Sequence, residues 1–169
     1  IVCEKGIARP EYAQSLPAEF GWFATLAGSC WTGKFPDGAT EHTQCYTTQF
    51  GRLLRGTATL AATKNGHREV RFEGDSVFAW DGSAMRIAYT IWGSDGSLRT
   101  LAAHYDGDEL VFPVPDRTSP ANVAFRSVWR RVDDASFEVR RERPHGDGWN
   151  RERTVVYRKA PPVAGVPGN

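Results

Sequence analysis

Methionine is almost missing, with one Met in 169 residues, and long apolar runs are missing altogether. No stretch approaches the ~20 apolar residues of a membrane-spanning helix, so no helical span is expected. Neither sign of charge is in excess: 21 basic side chains face 20 acidic ones. That balance argues against a general polyanion binder, so no nucleic-acid partner is read. The three cysteines, Cys3, Cys30 and Cys45, include no C-x-x-C pair, and no metal site is read. No glycine-rich loop follows a strand and opens a helix, so nucleotide binding has no support, and no cofactor is implied. No repeat of about 20–50 residues is visible.

What is present is the material of strands and tight turns. The chain holds 17 Gly, 10 Pro, 6 Trp, 5 Tyr and 9 Phe. Aromatics interleaved with turn residues favour pleated, half-buried segments over helices. Hydrophobic residues reach 40%, enough for a real core in one domain of this length. The helical region is confined to Ala8–Ala27, broken by Pro10 and Pro17; the cluster Phe20, Trp22, Phe23 and Leu26 forms a short helix or turn ending at Gly28. Strands then follow almost without pause, punctuated by Asp37-Gly38, Asn65-Gly66, Gly74-Asp75, Asp81-Gly82, Asp95-Gly96 and Asp106-Gly107. Only the Pro-rich loop Pro113–Pro120 is long. The expected division is an N-terminal extension over 1–19, a β-domain over 20–159 and a flexible C-terminal tail over 160–169. The visible start, Ile1–Ala8, is too short and polar for a secretory h-region, and with Ile1 in first place the expectation is that a leader or a tag has been removed.

About ten short strands joined by turns of two to four residues make sequence neighbours into spatial neighbours. An open meander would leave two exposed edges, and closure into a barrel removes them. The expected fold is therefore all-β, a single antiparallel up-and-down barrel of about 8–10 strands with a short N-terminal helix. Such a barrel holds side chains or one small ligand. If Asp37-Gly38 is a two-residue loop, paired residues sum to 75 and Cys30 stands opposite Cys45. Opposed residues lie within disulfide reach. The alternative is two reduced, buried cysteines acting as small hydrophobes, with Pro36 disturbing the count. A Cys30–Cys45 bridge would imply an oxidising, periplasmic or secreted setting and leave Cys3 as the odd thiol.

Leu26-Ala27-Gly28-Ser29-Cys30-Trp31-Thr32-Gly33 resembles the Leu-x-Gly-x-(x)-Trp-x-Gly opening of the calycin group, which includes lipocalins and fatty-acid-binding proteins. The chain is more closely similar to uncharacterised bacterial lipocalin-like domains, which carry an aromatic-rich short helix before the Trp, as Phe20–Leu26 does here. They also often read Tyr-Arg near the end, as Tyr157-Arg158 does. The resemblance implies that Trp31 packs across the barrel floor, covered by an Arg of the last strand, Arg153 or Arg158. That implication is structural rather than catalytic.

Alternation places Trp31, Gly33 and Phe35 on one, inward face; Ile87, Tyr89 and Ile91 share a face, as do Val123, Phe125 and Trp129. The expected cavity lining is Trp31, Tyr89, Phe125 and Trp129, with Arg126 or Arg130 pairing a ligand's acidic group if the late strand alternates the other way. The bland reading is that the rings simply fill a small core. Among the histidines, His67 and His145 flank turns. His42 falls opposite Gly33 beside Trp31, and His104 ends a strand near a rim; either is a candidate haem ligand or acid/base group, and each is more often structural. The turn aspartates are hairpin residues first. Glu138, Arg140 and Glu142 alternate opposite Arg151, Glu152 and Arg153, as a solvated outer face would.

Three functions stay open at this point. The first is a carrier- or sensor-type protein that binds a small hydrophobic or aromatic molecule. The second is a barrel enzyme, an isomerase, cyclase or decarboxylase, in which His42 moves a proton. The third is an interaction protein with a filled barrel. Cavity volume discriminates among them. Oligomeric state is not legible.

Overall fold

The computed structural model describes residues 15–161. The expected extension and tail lie for the most part outside the described residues. A 3-10 helix over Ala18–Leu26 leads into ten strands. They are β1 (Ser29–Lys34), β2 (Thr40–Gln49), β3 (Leu53–Lys64), β4 (His67–Asp81), β5 (Arg86–Gly93), β6 (Leu98–Asp106), β7 (Glu109–Pro115), β8 (Val123–Asp133), β9 (Ser136–His145) and β10 (Gly148–Lys159). Each pairs antiparallel with its sequence neighbour, and β1 pairs with β10 to close the barrel. This is the expected up-and-down barrel. Closure removes the two free edges that an open meander would expose.

The turns are built by side chains already visible in the sequence. Asp37, Asp81, Asp95, Asp116 and Asp133 each accept a backbone N–H two residues on, the Asx geometry that starts a tight turn. One of the expected breaks turns out differently. Gly74-Asp75 is not a turn: β4 runs unbroken for 15 residues. Gly74 is instead paired with Gly93, and the ring of Phe72 occupies the space where either would carry a Cβ. Glycine here makes room for an aromatic ring, not for a reversal of the chain.

The two ends of the barrel differ. At one end the 3-10 helix is drawn into the bore, with Phe20, Phe23 and Leu26 fully or almost fully buried. Phe23 stands at the hub of a ring cluster, with centroids 5.1 Å from Phe78, 5.6 Å from Tyr46, 5.9 Å from Trp129 and 6.2 Å from Phe112. Burying such a ring stabilises the fold by ~1.5–3 kcal/mol, and each favourable ring pair adds ~0.5–1.5 kcal/mol. Polar ties hold the plug. Trp22 Nε1 donates to the Asp108 carbonyl (3.0 Å), and Tyr105 Oη donates to the Phe20 carbonyl (2.7 Å). Gly21 sits at φ 53° directly under that Tyr105 hydroxyl, where a Cβ would come within 2.9 Å. At the other end no helix among the described residues is drawn into the bore.

The wall is uneven. Strands β6 and β7 share only three residue pairs, His104↔Val111, Tyr105↔Leu110 and Asp106↔Glu109. Beyond them towards the open end the ladder stops, where Pro113 and Pro115 remove two donors from β7. The closing β1–β10 ladder is equally short, Trp31↔Lys159, Thr32↔Arg158 and Gly33↔Tyr157; the other ladders are longer, and β1 is fastened to β2 by more than hydrogen bonds. Cys30 and Cys45 are opposed and form a disulfide with S–S 2.01 Å. The register expected from Asp37-Gly38 is the one observed.

Candidate functional site

Above the plug the bore is hollow. Two abutting cavities of about 340 Å³ and 270 Å³ share His42, Gln44, Phe72, Ser127 and Trp129 in their walls. The deeper one is closed below by Tyr46, Phe78, Tyr89 and Phe112. Tyr89 stacks on Phe78 (5.2 Å, 21° between planes) and meets Phe112 edge-on (5.5 Å). Trp129 stacks on Phe137 (5.2 Å) and packs 4.8 Å from Phe112, and its Nε1 is enclosed without a hydrogen-bond partner. The outer cavity is faced by Phe35, Leu60, Val139, Arg141, Arg153 and Tyr157. A larger open groove of about 620 Å³ runs over the outside of β3–β5 past Thr57, Asp75 and Trp92. It is polar and solvated and lacks the enclosure that strengthens a contact, so the bore is the candidate site.

One polar cluster interrupts the aromatic lining. Tyr157 Oη lies 2.7 Å from His42 Nδ1, and Gln44 Nε2 lies 3.3 Å from the same nitrogen. The Tyr46 hydroxyl donates to Gln44 Oε1. An amide NH₂ can only donate, so His42 Nδ1 is the acceptor for Gln44 and for the Tyr157 hydroxyl. The proton of the neutral ring is then on Nε2. Burial, with the nearby Arg153 charge second, lowers the His42 pKa to about 4. His42 is therefore neutral at physiological pH. Burial likewise raises Tyr89 and Tyr157 to about 12, so both stay protonated. Gly33 allows the cluster to form: it faces His42 across the ladder, and a Cβ there would lie 2.6 Å from Val155 and 3.1 Å from the Tyr157 ring.

The residues singled out from the sequence separate into two groups. Tyr89, Trp129 and His42 line the bore. Phe125 shares the inward parity of Ser127 and Trp129, and its ring lies 3.8 Å under the Arg141 guanidinium. The others lie elsewhere. Trp31 is buried at the closed end, donates from Nε1 to the Leu26 carbonyl (3.2 Å) and packs on Phe137 (5.5 Å), below the cavity. It closes the floor and does not line the cavity. The cation over its ring is Lys159 (6.0 Å), not Arg153 or Arg158; Arg158 is exposed and Arg153 lies over Phe35 instead. His104 is exposed on the outer wall, because β6 turns Leu101, Ala103 and Tyr105 inward. Arg126 and Arg130 also point outward, onto Glu142 (2.8 Å) and Glu138 (3.1 Å), with Arg126 over Trp149 (3.9 Å).

That outer face is a six-membered charge network. Arg140 reaches Glu109 (2.7 Å), Glu138 (3.3 Å) and Glu142 (3.2 Å), and covers the buried Val128 across the ladder. The Arg140 hydrogen bond holds the Glu109 carboxyl below its usual range. Arg126 and Arg130 complete three cations against three carboxylates, so this face is internally neutral. The expected pairing partners on β10 are largely not used.

Sequence reasoning missed Gln44, Tyr46, Phe72 and Arg141, and it put Arg153 on the outer face. Arg141 was legible: it shares parity with Phe137 and Val139. Arg153 shares parity with Val155 and Tyr157, but a bulge between Arg151 and Arg153 hides this in a simple count from the hairpin.

No protein-family model matches the chain, and a search of curated proteins finds no relative. The closed ten-strand antiparallel barrel is consistent with a calycin or lipocalin-like fold.

Proposed function

We propose that this barrel binds a small hydrophobic or aromatic molecule in its open-ended bore. The observation that carries this reading is the hollow above the plug. It is walled by Phe78, Tyr89, Phe112 and Trp129. Its two cavities, about 340 Å³ and 270 Å³, are on the scale of small-ligand pockets. Apolar walls with a few convergent polar groups give affinity through burial and orientation through hydrogen bonds. The resemblance of the Trp31 segment to lipocalin-like domains supports the same reading. The Cys30–Cys45 disulfide supports an oxidising setting, periplasmic or secreted.

The enzyme alternative draws no comparable support. His42 Nδ1 already accepts two hydrogen bonds, and its depressed pKa makes it a weak base. A filled interaction barrel would lack the hollow.

The test is a fluorescence titration with N-phenyl-1-naphthylamine, an uncharged hydrophobe. Saturable one-to-one enhancement is expected, weakened at least tenfold by Ser127→Phe, which fills the cavity from its wall. No saturable binding, or binding indifferent to Ser127→Phe, would overturn the proposal.

A further inference from the structure

Among the described residues, the mouth of the bore carries positive charge that is not fully balanced. Arg141 and Arg153 are directly opposed across β9 and β10, both on the inner face. Like charges directly opposite in a ladder repel, and an arrangement of this kind is normally avoided. On the outer wall every arginine of the central network meets a carboxylate. At the mouth the provision is poorer. Arg141 Nε lies 2.9 Å from Glu152, a carboxylate it shares with Arg143. Arg153 has no carboxylate within ion-pair distance among the described residues. Its neighbour is the Phe35 ring, 4.4 Å away. Asp37 in the adjoining hairpin feels the Arg153 charge without pairing to it.

The cavity walls are one-sided in the same sense. No Asp or Glu lines either cavity: the charged lining residues are Arg141 and Arg153, and the other polar ones, among them His42, Gln44, Tyr157 and Ser127, carry no negative charge. His42 carries its proton on Nε2, the nitrogen that its partners leave unused. The two guanidiniums are also preorganised, each flattened on an aromatic face: Arg141 on Phe125 and Arg153 on Phe35. Planar forks held in this way suit a two-oxygen or three-oxygen anion.

We propose that the ligand is an amphiphilic anion, its apolar or aromatic body in the bore and one carboxylate, sulfonate or phosphate-type group at the mouth between Arg141 and Arg153. This rests on the binding reading above and adds the charge and the direction of insertion. The anion takes the place that a missing carboxylate would fill. Its body reaches down towards Tyr89 and Phe112, where the walls are aromatic and offer no ionic partner.

The test compares two probes that differ by one group. 1-Anilinonaphthalene-8-sulfonate is N-phenyl-1-naphthylamine with a sulfonate added. The sulfonate is expected to bind at least tenfold tighter than the neutral probe to the wild-type protein. Arg153→Gln, and more so Arg141→Gln with Arg153→Gln, should bring the two affinities within about twofold, the readout being the ratio of the two affinities in each variant. Arg153→Lys keeps the charge and should retain most of the preference. Equal binding of both probes to the wild type overturns this proposal and leaves the binding reading standing, as does a preference that survives in the double variant. If neither probe binds, both readings fall. Retained near-ultraviolet circular dichroism in each variant separates a lost anion site from a lost fold.

Discussion

The two ends of this barrel use the same residue types for opposite purposes. At the closed end, aromatic rings touch one another: Phe20, Phe23, Trp31 and Phe137 leave no space, and every polar atom of the plug that matters has a backbone partner. At the open end, rings touch cations or empty volume: Phe35 and Phe125 lie under guanidiniums, and Tyr89 faces the hollow. The lesson is that aromatic content alone does not distinguish a core from a binding site. What decides is whether a ring's neighbours come from its own chain on all sides.

The strongest way to break the comparison is to remove the plug. Phe23→Ala deletes a ring with no solvent exposure that contacts rings from four strands. The expected loss is about 3–5 kcal/mol, read from urea unfolding midpoints at constant slope. A loss below ~1.5 kcal/mol would mean that the helix is ornamental and the ends are not different in kind.

The disulfide comes next. It closes a loop with a sequence separation of 15 on the wall between β1 and β2. The loop-entropy relation gives about 3 kcal/mol for a loop of this size. Replacing both cysteines by serine should lower stability by roughly that amount without altering ligand affinity, since the bridge faces away from the bore. Mass spectrometry under non-reducing conditions verifies the bond first. An affinity change as large as the stability change would show that the two ends are coupled through β1.

The fold was largely legible, and the reason is local. Asp-Gly and Asn-Gly turns state where a strand reverses, and two opposed cysteines state the register. Gly74-Asp75 misled because glycine also marks close packing, here of the Phe72 ring, and a single sequence carries both meanings in the same letter. The site was less legible. Tyr89 and Trp129 followed from alternation. Arg126 and Arg130 were expected to face a ligand only if β8 alternated the other way; with Trp129 inward both point outward, onto Glu142 and Glu138. Arg153 was hidden by the bulge at Glu152, which shifts parity within one strand. Gln44 and Tyr46 matter because they meet across space on a wall, and nothing in their spacing announces a hydrogen-bond chain.

The polar cluster gives the open end a pH signature that the closed end lacks. His42 titrates near 4 when folded and near 6.5 when unfolded. Between those values the unfolded chain binds more protons, so stability rises with pH across the window. Read downward, the contribution is complete above pH ~6.5 and is lost as pH falls towards 4, a loss of about 2–3 kcal/mol after allowing for partial exposure. His42→Gln keeps an acceptor for Tyr157 and should flatten this part of the profile. The measurement is the difference between the two proteins' unfolding free energies from pH 7 to pH 4. Parallel curves would mean that His42 takes up a proton in the fold as readily as in the unfolded chain, and that burial does not hold it neutral.

The smallest expected effect is the one that sharpens the comparison most. Phe35→Ala removes a ring of the same size as Phe23, but from the rim, where it is half-buried and one face meets Arg153. Less apolar surface is lost to water and the space left behind is open, so no enclosed cavity forms; the cost to stability should stay near ~1 kcal/mol. The guanidinium, however, loses the surface that keeps it flat and pointed at the mouth. Affinity for an anionic probe should therefore fall severalfold while the thermal midpoint moves little. Phe23→Ala should show the reverse proportion, with stability lost first and any change in binding following from it. If Phe35→Ala and Phe23→Ala instead shift stability alike, the rim belongs to the core and the opening at that end is not a built site.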